Sequence, residues 1–250
     1  MSEPMQNFED PRWKKLIQSF RQRVDDDKKH FNFSNSWYVK LPEICPKPMF
    51  CLIGMEPGPG KNEYKEPEYR NFTASKSDFI IHYCAYHYLG GEGFNYHMTD
   101  MAKGAIKIND AGNTREERYK IWLPFLEKEL ALLGNPKIIF IGKGTYNENI
   151  NWELNLPVVK DHFILQHGGA ARGWVKRYYD SIPNISNYNP PVDVKVTVKE
   201  MAIDLMEKHG YPQKLKDELL KDAFNRDFTD ADKRLLAVYR YDFERFSKIK

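Results

Sequence analysis

Short apolar runs alternate with amphipathic, helix-like stretches along most of the chain. Four runs bounded by glycine, proline or polar residues are typical of buried strands; they cover residues 49–54, 94–101, 137–142 and 162–166. Apolar residues at helical spacing predict helices over 10–30, 78–89, 114–133 and from about 174. Because strands and helices alternate, the pattern predicts an α/β fold with a mostly parallel, four-stranded sheet.

The C-terminal part of the chain has a different pattern. Residues 184–191 read Asn-Ile-Ser-Asn-Tyr-Asn-Pro-Pro, which is typical of a linker. Three helical patterns follow it, over 198–208, 212–224 and 229–246. We therefore predict an α/β domain over 1–185 and a helical extension over 186–250 that packs on or near this domain.

Two local signals concern the third helix. Thr114-Arg115-Glu116-Glu117 matches a capping box, which predicts that the helix begins there. Pro124 lies ten residues further along the chain and predicts a kink or a restart.

Composition and charge narrow the class of protein. The 250 residues carry a formal net charge of +3, which permits a polyanionic partner without requiring one. The three cysteines form no Cys-x-x-Cys pair, so we expect a reduced, intracellular protein. No apolar run approaches membrane-spanning length, and the N-terminus does not resemble a signal peptide. We expect a cytoplasmic protein without a membrane partner.

The predicted strand ends carry the candidate chemistry. Glu56 follows the first strand, Asp100 ends the second, Gly142 the third, and His167 follows the fourth. Such ends lie side by side at one edge of a parallel sheet. Alone, His167 is more often a structural histidine, and Asp100 a helix cap or an ion-pair partner. Together with Glu56 they favour an active site, because a carboxylate facing a histidine can divide acid and base roles.

Three common motifs are excluded. Residues 54–61 are not a phosphate-binding loop, because five residues separate the two glycines and Asn62 follows the lysine. Residues 142–144 lack the third glycine of a dinucleotide fingerprint. No Gly-x-Ser-x-Gly elbow occurs, so a serine hydrolase is unsupported.

Four segments resemble the uracil-DNA glycosylase superfamily. Residues 54–59, Gly-Met-Glu-Pro-Gly-Pro, are closest to the Gly-Met-Asn-Pro-Gly-Pro form of the single-strand-selective branch. Residues 167–172, His-Gly-Gly-Ala-Ala-Arg, are similar to the second motif, usually His-Pro-Ser. Residues 99–103 are similar to the central Thr-Asn-x-x-Lys segment, and 136–142 to the third strand. The likeness covers residues 45–180.

The resemblance implies a three-layer α/β/α sandwich and a base flipped out of DNA into the site. It implies that Glu56 orients water and stabilises positive charge on the sugar. His167 would donate a hydrogen bond to the leaving base. Asp100 would read the base edge and Phe72 would stack on the base, with Tyr69 as the alternative for stacking. The implied base-binding residues are Met55, Tyr69, Phe72 and Asp100.

The resemblance also implies a DNA-binding surface and the partners of the protein. The residues expected to meet DNA are Pro57, Gly58, Gly168, Gly169, Ala170, Ala171 and Arg172. Lys176 and Arg177 would hold phosphates. We expect a monomer that acts on single-stranded or duplex DNA with no metal and no cofactor; three cysteines are too few for the four-cysteine iron-sulfur cluster of one branch.

The chain departs from the family pattern at three places. Asp100 stands where members that recognise uracil commonly carry Asn. An ionised Asp offers only acceptors, so it disfavours the O4 carbonyl of uracil unless it is protonated. Gly168 replaces the proline of the second motif, and the Ala-Ala-Arg stretch lacks the large apolar wedge that some members insert.

These observations predict a monofunctional DNA glycosylase that hydrolyses the N-glycosidic bond of uracil or another deaminated base. Two alternatives stay open. One is a non-catalytic nucleic-acid-binding module with the same fold, and the other is an enzyme that acts on free nucleosides or nucleotides.

Overall fold

A computed structural model of the protein describes residues 6–58, 71–73, 75–156, 164–165 and 172–248. The helices are α1 (Pro11–His30), α2 (Lys76–Tyr88), α3 (Ile108–Leu132), α4 (Lys143–Asn151), α5 (Arg172–Ser181), α6 (Val194–Lys208), α7 (Gln213–Phe224) and α8 (Asp230–Phe246). The strands are β1 (Ser36–Tyr38), β2 (Phe50–Gly54), β3 (Tyr96–Asp100), β4 (Gly104–Ile106), β5 (Lys137–Ile141) and β6 (Ile164–Leu165). The predicted α/β class is confirmed.

A parallel sheet lies at the centre of the fold. Strand β2 pairs in parallel with β3 on one side and with β5 on the other. The two-residue β6 pairs in parallel with β5. Gly54 is level with Asp100 in the register of β2 and β3, so these two strands end together. The carboxyl ends of parallel strands are the usual place for ligands in such sheets.

Helices cover both faces of β2, as its alternating side chains require. Phe50 and Leu52 belong to a cluster with apolar residues of α2, α6 and α8. Cys51 and Ile53 belong to a second cluster, formed with apolar residues of α1 and α3. All four side chains are buried, which explains why the strand is a continuous apolar run.

The C-terminal helices share the first of these clusters. Helix α8 packs on α2 and α5, and α6 packs on α2. Phe243 and Phe246 of α8 are completely buried within this cluster. Within the described ranges, none of the helices has both the length and the apolar character that crossing a bilayer requires.

The start of α3 differs from its prediction. The helix begins at Ile108, so Thr114 lies inside it, and the capping-box prediction was wrong. The Thr114 hydroxyl donates to the carbonyl of Asp110 at 3.0 Å, which is how threonine is satisfied inside a helix. The helix also continues through Pro124 to Leu132.

A short strand that the sequence pattern does not predict lies between α1 and β2. β1 pairs antiparallel with β4, with Ser36 opposite Ile106. Each strand has only three residues, which is too short for a hydrophobic period to show in the sequence.

Asp242 joins α8 to α5 inside the first cluster. Its side chain is completely buried, and its Oδ1 accepts a 2.7 Å hydrogen bond from the Tyr178 hydroxyl. Its Oδ2 has no hydrogen-bond partner among the described residues. Burial raises the pKa of Asp242 to about 7, although the Tyr178 hydrogen bond and Arg245 lower it.

Replacing Asp242 by Asn is expected to stabilise the protein relative to wild type. The difference in free energy of unfolding should grow as the pH rises. Between about pH 4 and 7 the unfolded chain loses the Asp242 proton while the folded protein keeps it, so wild-type stability falls with pH. The difference in free energy of unfolding should widen by on the order of 1 kcal/mol per pH unit in this window. Urea titrations of both proteins from pH 4 to 8 measure it, and parallel curves would contradict the expectation.

Candidate active site

The chain segments that leave β2 and β3 run beside each other at the carboxyl edge of the sheet. The Gly54 carbonyl accepts from the N–H of Met101 at 2.9 Å, and the Met55 carbonyl from the N–H of Ala102 at 3.2 Å. These backbone bonds continue the pairing beyond the last register pair, Gly54 and Asp100. Met55 and Asp100 are thereby held at one edge, as the sequence predicted for the ends of parallel strands.

Two buried side chains approach Gly54 closely. A Cβ atom at Gly54 would overlap Oδ1 of Asp100 and would lie 3.4 Å from Cζ of Phe72. Glycine is therefore required at position 54 by the close approach of Asp100. The predicted base-reading residue and the predicted stacking residue are brought together here.

Asp100 is buried beside Gly54. Its Oδ2 accepts from Nδ2 of Asn71, and its backbone carbonyl accepts from the Lys103 ammonium. Burial raises the pKa of Asp100 to about 8; Lys103 and Asn71 lower it, while Glu56 and Glu129 raise it further. Asp100 therefore carries a proton at neutral pH, the condition under which it can donate a hydrogen bond.

Phe72 has an unusual backbone conformation beside Asp100. Its φ is +57°, a left-handed value that is strained for a bulky residue. The Phe72 N–H donates to Oδ1 of Asn71 at 3.0 Å, and the Phe72 carbonyl accepts from Nε2 of His82 at 2.9 Å. Two polar groups thus hold the strained residue in place.

His82 is in turn held by a buried partner. Its Nδ1 accepts from the Tyr96 hydroxyl at 2.8 Å. Burial, and then His209, lower the pKa of His82 to about 3. A neutral His82 has one N–H, and this N–H is the one that donates to Phe72.

Glu56 is bound by three residues of α3. Its Oε1 accepts from Nε and Nη2 of Arg115, at 3.0 and 2.7 Å. Its Oε2 accepts from Nη2 of Arg118 at 2.6 Å and from the Tyr119 hydroxyl at 2.5 Å. The side chains of Glu56 and Arg118 are 8% and 2% exposed, and that of Arg115 is 24% exposed. Burial, and then Glu56, raise the pKa of Tyr119 far above its ordinary value.

Arg115, Arg118 and Tyr119 together form a clamp on Glu56. This clamp limits the chemistry that is open to the Glu56 carboxylate. Four donors occupy a carboxylate that offers about four lone-pair sites, so none is left for a water molecule. One carboxylate and two guanidinium groups give the cluster a net charge of +1. The two guanidinium groups favour negative charge beside Glu56, an effect that the Glu148 carboxyl offsets in part through its interaction with Arg115.

The clamp residues of α3 are not among the site residues predicted from the sequence. Arg115, Arg118 and Tyr119 are spaced i, i+3 and i+4, which places them on one side of α3. This spacing is the signal that could have grouped them. Which partner they contact depends on how α3 packs against the end of β2, and the spacing does not contain that information.

A second buried polar cluster lies under the end of β3. The Lys103 ammonium donates to the Thr99 hydroxyl at 2.7 Å and pairs with Glu129 Oε2 at 2.8 Å, while Oε1 of Glu129 lies 3.0 Å from Nε2 of His97. All four side chains are completely buried. Burial raises the pKa of Glu129, but Lys103 and His97 outweigh it and hold the pKa at about 2. Thr99 and Lys103 thus anchor the end of β3 through buried polar contacts.

The other predicted site residues have varied positions. Pro57 is buried and Gly58 is exposed. The Met55 side chain reaches α4, where a Cβ at Gly144 would lie 3.3 Å from Met55 Cε. Arg172 is the first residue of α5. The predicted residues that lie outside the described ranges are Tyr69, His167, Gly168, Gly169, Ala170 and Ala171.

Helix α5 presents an aromatic and basic surface. Trp174 is 55% exposed, and the Arg177 guanidinium lies 4.4 Å from the centre of its ring. Lys176 is exposed, and its Nζ lies 3.5 Å from Oδ2 of Asp180. The two residues predicted to hold phosphates are thus accessible beside an exposed ring.

Replacing Gly54 by Ala is expected to lower the free energy of unfolding by about 1–3 kcal/mol, because the new methyl group overlaps the buried Asp100 carboxyl. Gly112→Ala is the matched control: Gly112 lies in α3, and its Cβ would meet nothing within 4 Å. That change should stabilise the protein by about 0.5–1 kcal/mol, as Ala does in a helix. Urea denaturation compares the two, and a Gly54→Ala protein as stable as wild type would refute the close approach.

No protein-family model matches the chain. No curated protein matches it either.

Proposed function

We propose that the protein is a DNA glycosylase that hydrolyses the N-glycosidic bond of a flipped-out, deaminated base. The proposal includes the three-layer α/β/α sandwich around a four-stranded sheet and a monomer that binds DNA. The observation that carries it is the meeting of Asp100 and Phe72 over Gly54. A flipped base needs a polar group for its edge and an aromatic ring for its face in one crevice.

The reaction sets requirements on the groups around the base. Breaking the bond builds positive charge on the sugar and negative charge on the base. In the proposal, His167 donates a hydrogen bond to the base as it leaves. Glu56 stabilises the sugar and orients water, but it does so only after the clamp has loosened.

Bound DNA supplies a reason for the clamp to loosen. Arg115 is the more exposed of the two arginines. A phosphate of the DNA backbone competes with Glu56 for its guanidinium, because phosphate accepts the same paired hydrogen bonds. In this proposal the protein is inactive until DNA draws Arg115 away from Glu56.

Helix α5 supports a nucleic-acid partner. The exposed Trp174 ring and the Arg177 stacked on it resemble the aromatic and cationic elements that bind unpaired strands. Lys176 and Arg177 contact phosphates in the proposal. Binding to oligonucleotides should then weaken steeply with salt, and Lys176→Gln should reduce the slope of log K against log salt by about 1.

The test is base release from labelled oligonucleotides that carry uracil, hypoxanthine, xanthine or mismatches, in single and double strands. Abasic product that disappears in His167→Ala, a protein that still folds, would support the reaction and identify the base. Glu56→Gln should remove turnover and keep DNA binding. Turnover that survives both His167→Ala and Glu56→Gln would overturn the assignment of the active site.

The clamp on Glu56 also favours a second candidate, a nucleic-acid-binding module without catalysis. A carboxylate whose acceptor sites are all occupied cannot activate water. A folded protein that binds these oligonucleotides and releases no base from any of them would establish this second candidate. Absence of both release and binding would point to free nucleosides or nucleotides.

A further inference from the structure

The loop that follows α6 is fixed by the end of that helix. Gly210 has a φ of +61°, a left-handed value that glycine adopts at little cost. The Gly210 N–H donates to the carbonyl of Glu207 at 2.9 Å, and the Tyr211 N–H donates to the carbonyl of Met206 at 3.0 Å. These two bonds form a Schellman motif, in which the residue after the glycine packs back on the helix. Tyr211 and Met206 are accordingly buried in the first apolar cluster.

The Tyr211 hydroxyl bonds to the chain segment that precedes α2. It lies 2.5 Å from the Thr73 hydroxyl, and the two groups form a hydrogen bond between residues 138 positions apart. Thr73 is completely buried and Tyr211 is 6% exposed, so the bond is shielded from water. A residue of the helical extension is therefore tied to the neighbour of Phe72.

This bond lies beside the strained backbone of Phe72. A left-handed φ is unfavourable for a bulky residue and persists only where neighbouring contacts fix it. On the N-terminal side, Nδ2 of Asn71 donates to Oδ2 of Asp100. On the C-terminal side, the Thr73 hydroxyl bonds to Tyr211 and lies 3.4 Å from the Asn71 carbonyl. Tyr211 thus supplies the short contact on the second side of Phe72.

The same loop acts on the histidine that holds the Phe72 carbonyl. Nε2 of His82 donates to this carbonyl at 2.9 Å. Burial lowers the pKa of His82, and the charge of His209 lowers it further. Residues 209 and 211 of one loop therefore influence both the Phe72 carbonyl and the residue that follows it.

We propose that Tyr211 is a positioning residue, which holds Phe72 beside Gly54 and Asp100 through its hydrogen bond to Thr73. The inference rests on the proposed function, in which Phe72 stacks on the base, and it gives the helical extension a part in that function. A stacked ring contributes only in the correct orientation, so a small displacement of Phe72 lowers the rate. Tyr211 is not among the site residues predicted from the sequence.

The first experiment measures the position of Phe72 without any substrate. Cζ of Phe72 lies 3.4 Å from the position of a Cβ at Gly54, so the Phe72 ring protons and a Gly54 Hα proton should give a strong nuclear Overhauser effect in the full chain. Tyr211→Phe keeps the buried ring and removes the hydroxyl, and this signal should lose most of its intensity. The signal between the rings of Phe243 and Phe246, which are 6.2 Å apart in the same cluster, should not change.

Two results of this experiment overturn the inference. One is an unchanged signal between Phe72 and Gly54 in Tyr211→Phe. The other is an equal loss of both signals, which would show that the whole cluster has loosened. Tyr179→Phe is the matched control, because it removes a hydroxyl that only reaches Asn189 at 3.3 Å, and it should keep both signals.

Thr73→Val tests the same hydrogen bond from its other end. Valine keeps the shape of threonine and removes the hydroxyl, so the signal between Phe72 and Gly54 should fall as it does in Tyr211→Phe. The double variant should lose no more than either single variant, since all three lack one shared bond. Losses that add in the double variant would refute an action of Tyr211 through Thr73.

The last experiment measures base release from the labelled oligonucleotides. Tyr211→Phe should lower kcat/KM at least about tenfold, because the displaced ring no longer fits the transition state. Its affinity for undamaged oligonucleotides, which depends on phosphate contacts, should equal that of wild type. A wild-type kcat/KM, or a parallel loss of affinity for undamaged oligonucleotides, contradicts the positioning role. If wild type releases no base although Tyr211→Phe displaces Phe72, the proposed function fails, while the hold of Tyr211 on Phe72 stands.

Discussion

Replacing Glu56 by Gln is expected to lower the free energy of unfolding by about 3–5 kcal/mol, the usual cost of breaking a buried ion pair on one side. Arg118 is 2% exposed, and its Nε and Nη1 already have no hydrogen-bond partner among the described residues. Without the Glu56 charge, the buried Arg118 guanidinium loses its ion-pair partner and keeps only a longer-range interaction with the Asp27 carboxyl. Urea or thermal denaturation at neutral pH measures the loss.

Glu116→Gln is the matched control for this prediction. It makes the same chemical change near the start of α3, where Glu116 is 58% exposed and pairs with Lys120. Exposed i, i+4 pairs contribute about 0.3–0.5 kcal/mol, so the control should stay close to wild type. Equal stability of the two variants would show that Arg118 does not depend on Glu56. Activity of Glu56→Gln must be measured on the folded fraction, since the variant loses stability as well as chemistry.

Replacing Glu129 by Gln is expected to cost a similar amount, about 3–5 kcal/mol. Its carboxylate pairs with Lys103, and both side chains are completely buried. The change leaves the Lys103 ammonium without its compensating charge. Glu127→Gln, an exposed residue on the same helix, is the control and should have little effect.

The stability that Glu129 contributes should depend on pH, and the sign follows from its pKa. The pKa of Glu129 is about 2 in the folded protein, against an ordinary glutamate value of 4.5. A lowered pKa contributes stability above the unfolded value, and this contribution is lost as the pH falls through the folded value. Wild type should therefore lose its advantage over Glu129→Gln between about pH 5 and 2. Urea titrations over this range test it, and a constant difference between the two proteins would contradict it.

The meeting of Gly54 and Asp100 was predictable because strand ends are visible in the sequence. The apolar run that ends at Gly54 and the one that ends near Asp100 predict two strands, and parallel strands bring their ends together. The register that pairs Gly54 with Asp100 agrees with this prediction. Local hydrophobic patterns were sufficient here, since neighbouring strands in an α/β chain have few other ways to pair.

Neither the protonation of Asp100 nor the hydrogen bonding of Glu56 was predictable in the same way. The acid form of Asp100 depends on burial and on Lys103 being paired with Glu129 of α3. The clamp on Glu56 depends on Arg115 and Arg118, about 60 positions along the chain. Both results follow from the packing of α3 beneath the strand ends, which no local pattern specifies.

The helix start that the capping box at Thr114 predicted was wrong for the opposite reason. There the local signal was strong, but the helix had already begun at Ile108, directly after the short strand β4. A threonine hydroxyl that bonds to a preceding carbonyl is compatible with a helix interior, so the motif alone does not fix a boundary.

The shared apolar cluster has a consequence for how the protein unfolds and how it can be divided. Helices α6 and α8 cover α2, and α8 also covers α5. A chain ending near residue 185 would expose these faces to water, so we expect it to aggregate rather than fold. The α/β part and the C-terminal helices should melt in one cooperative transition. Loss of α8 would therefore destabilise α5, which lies far from the break in the sequence.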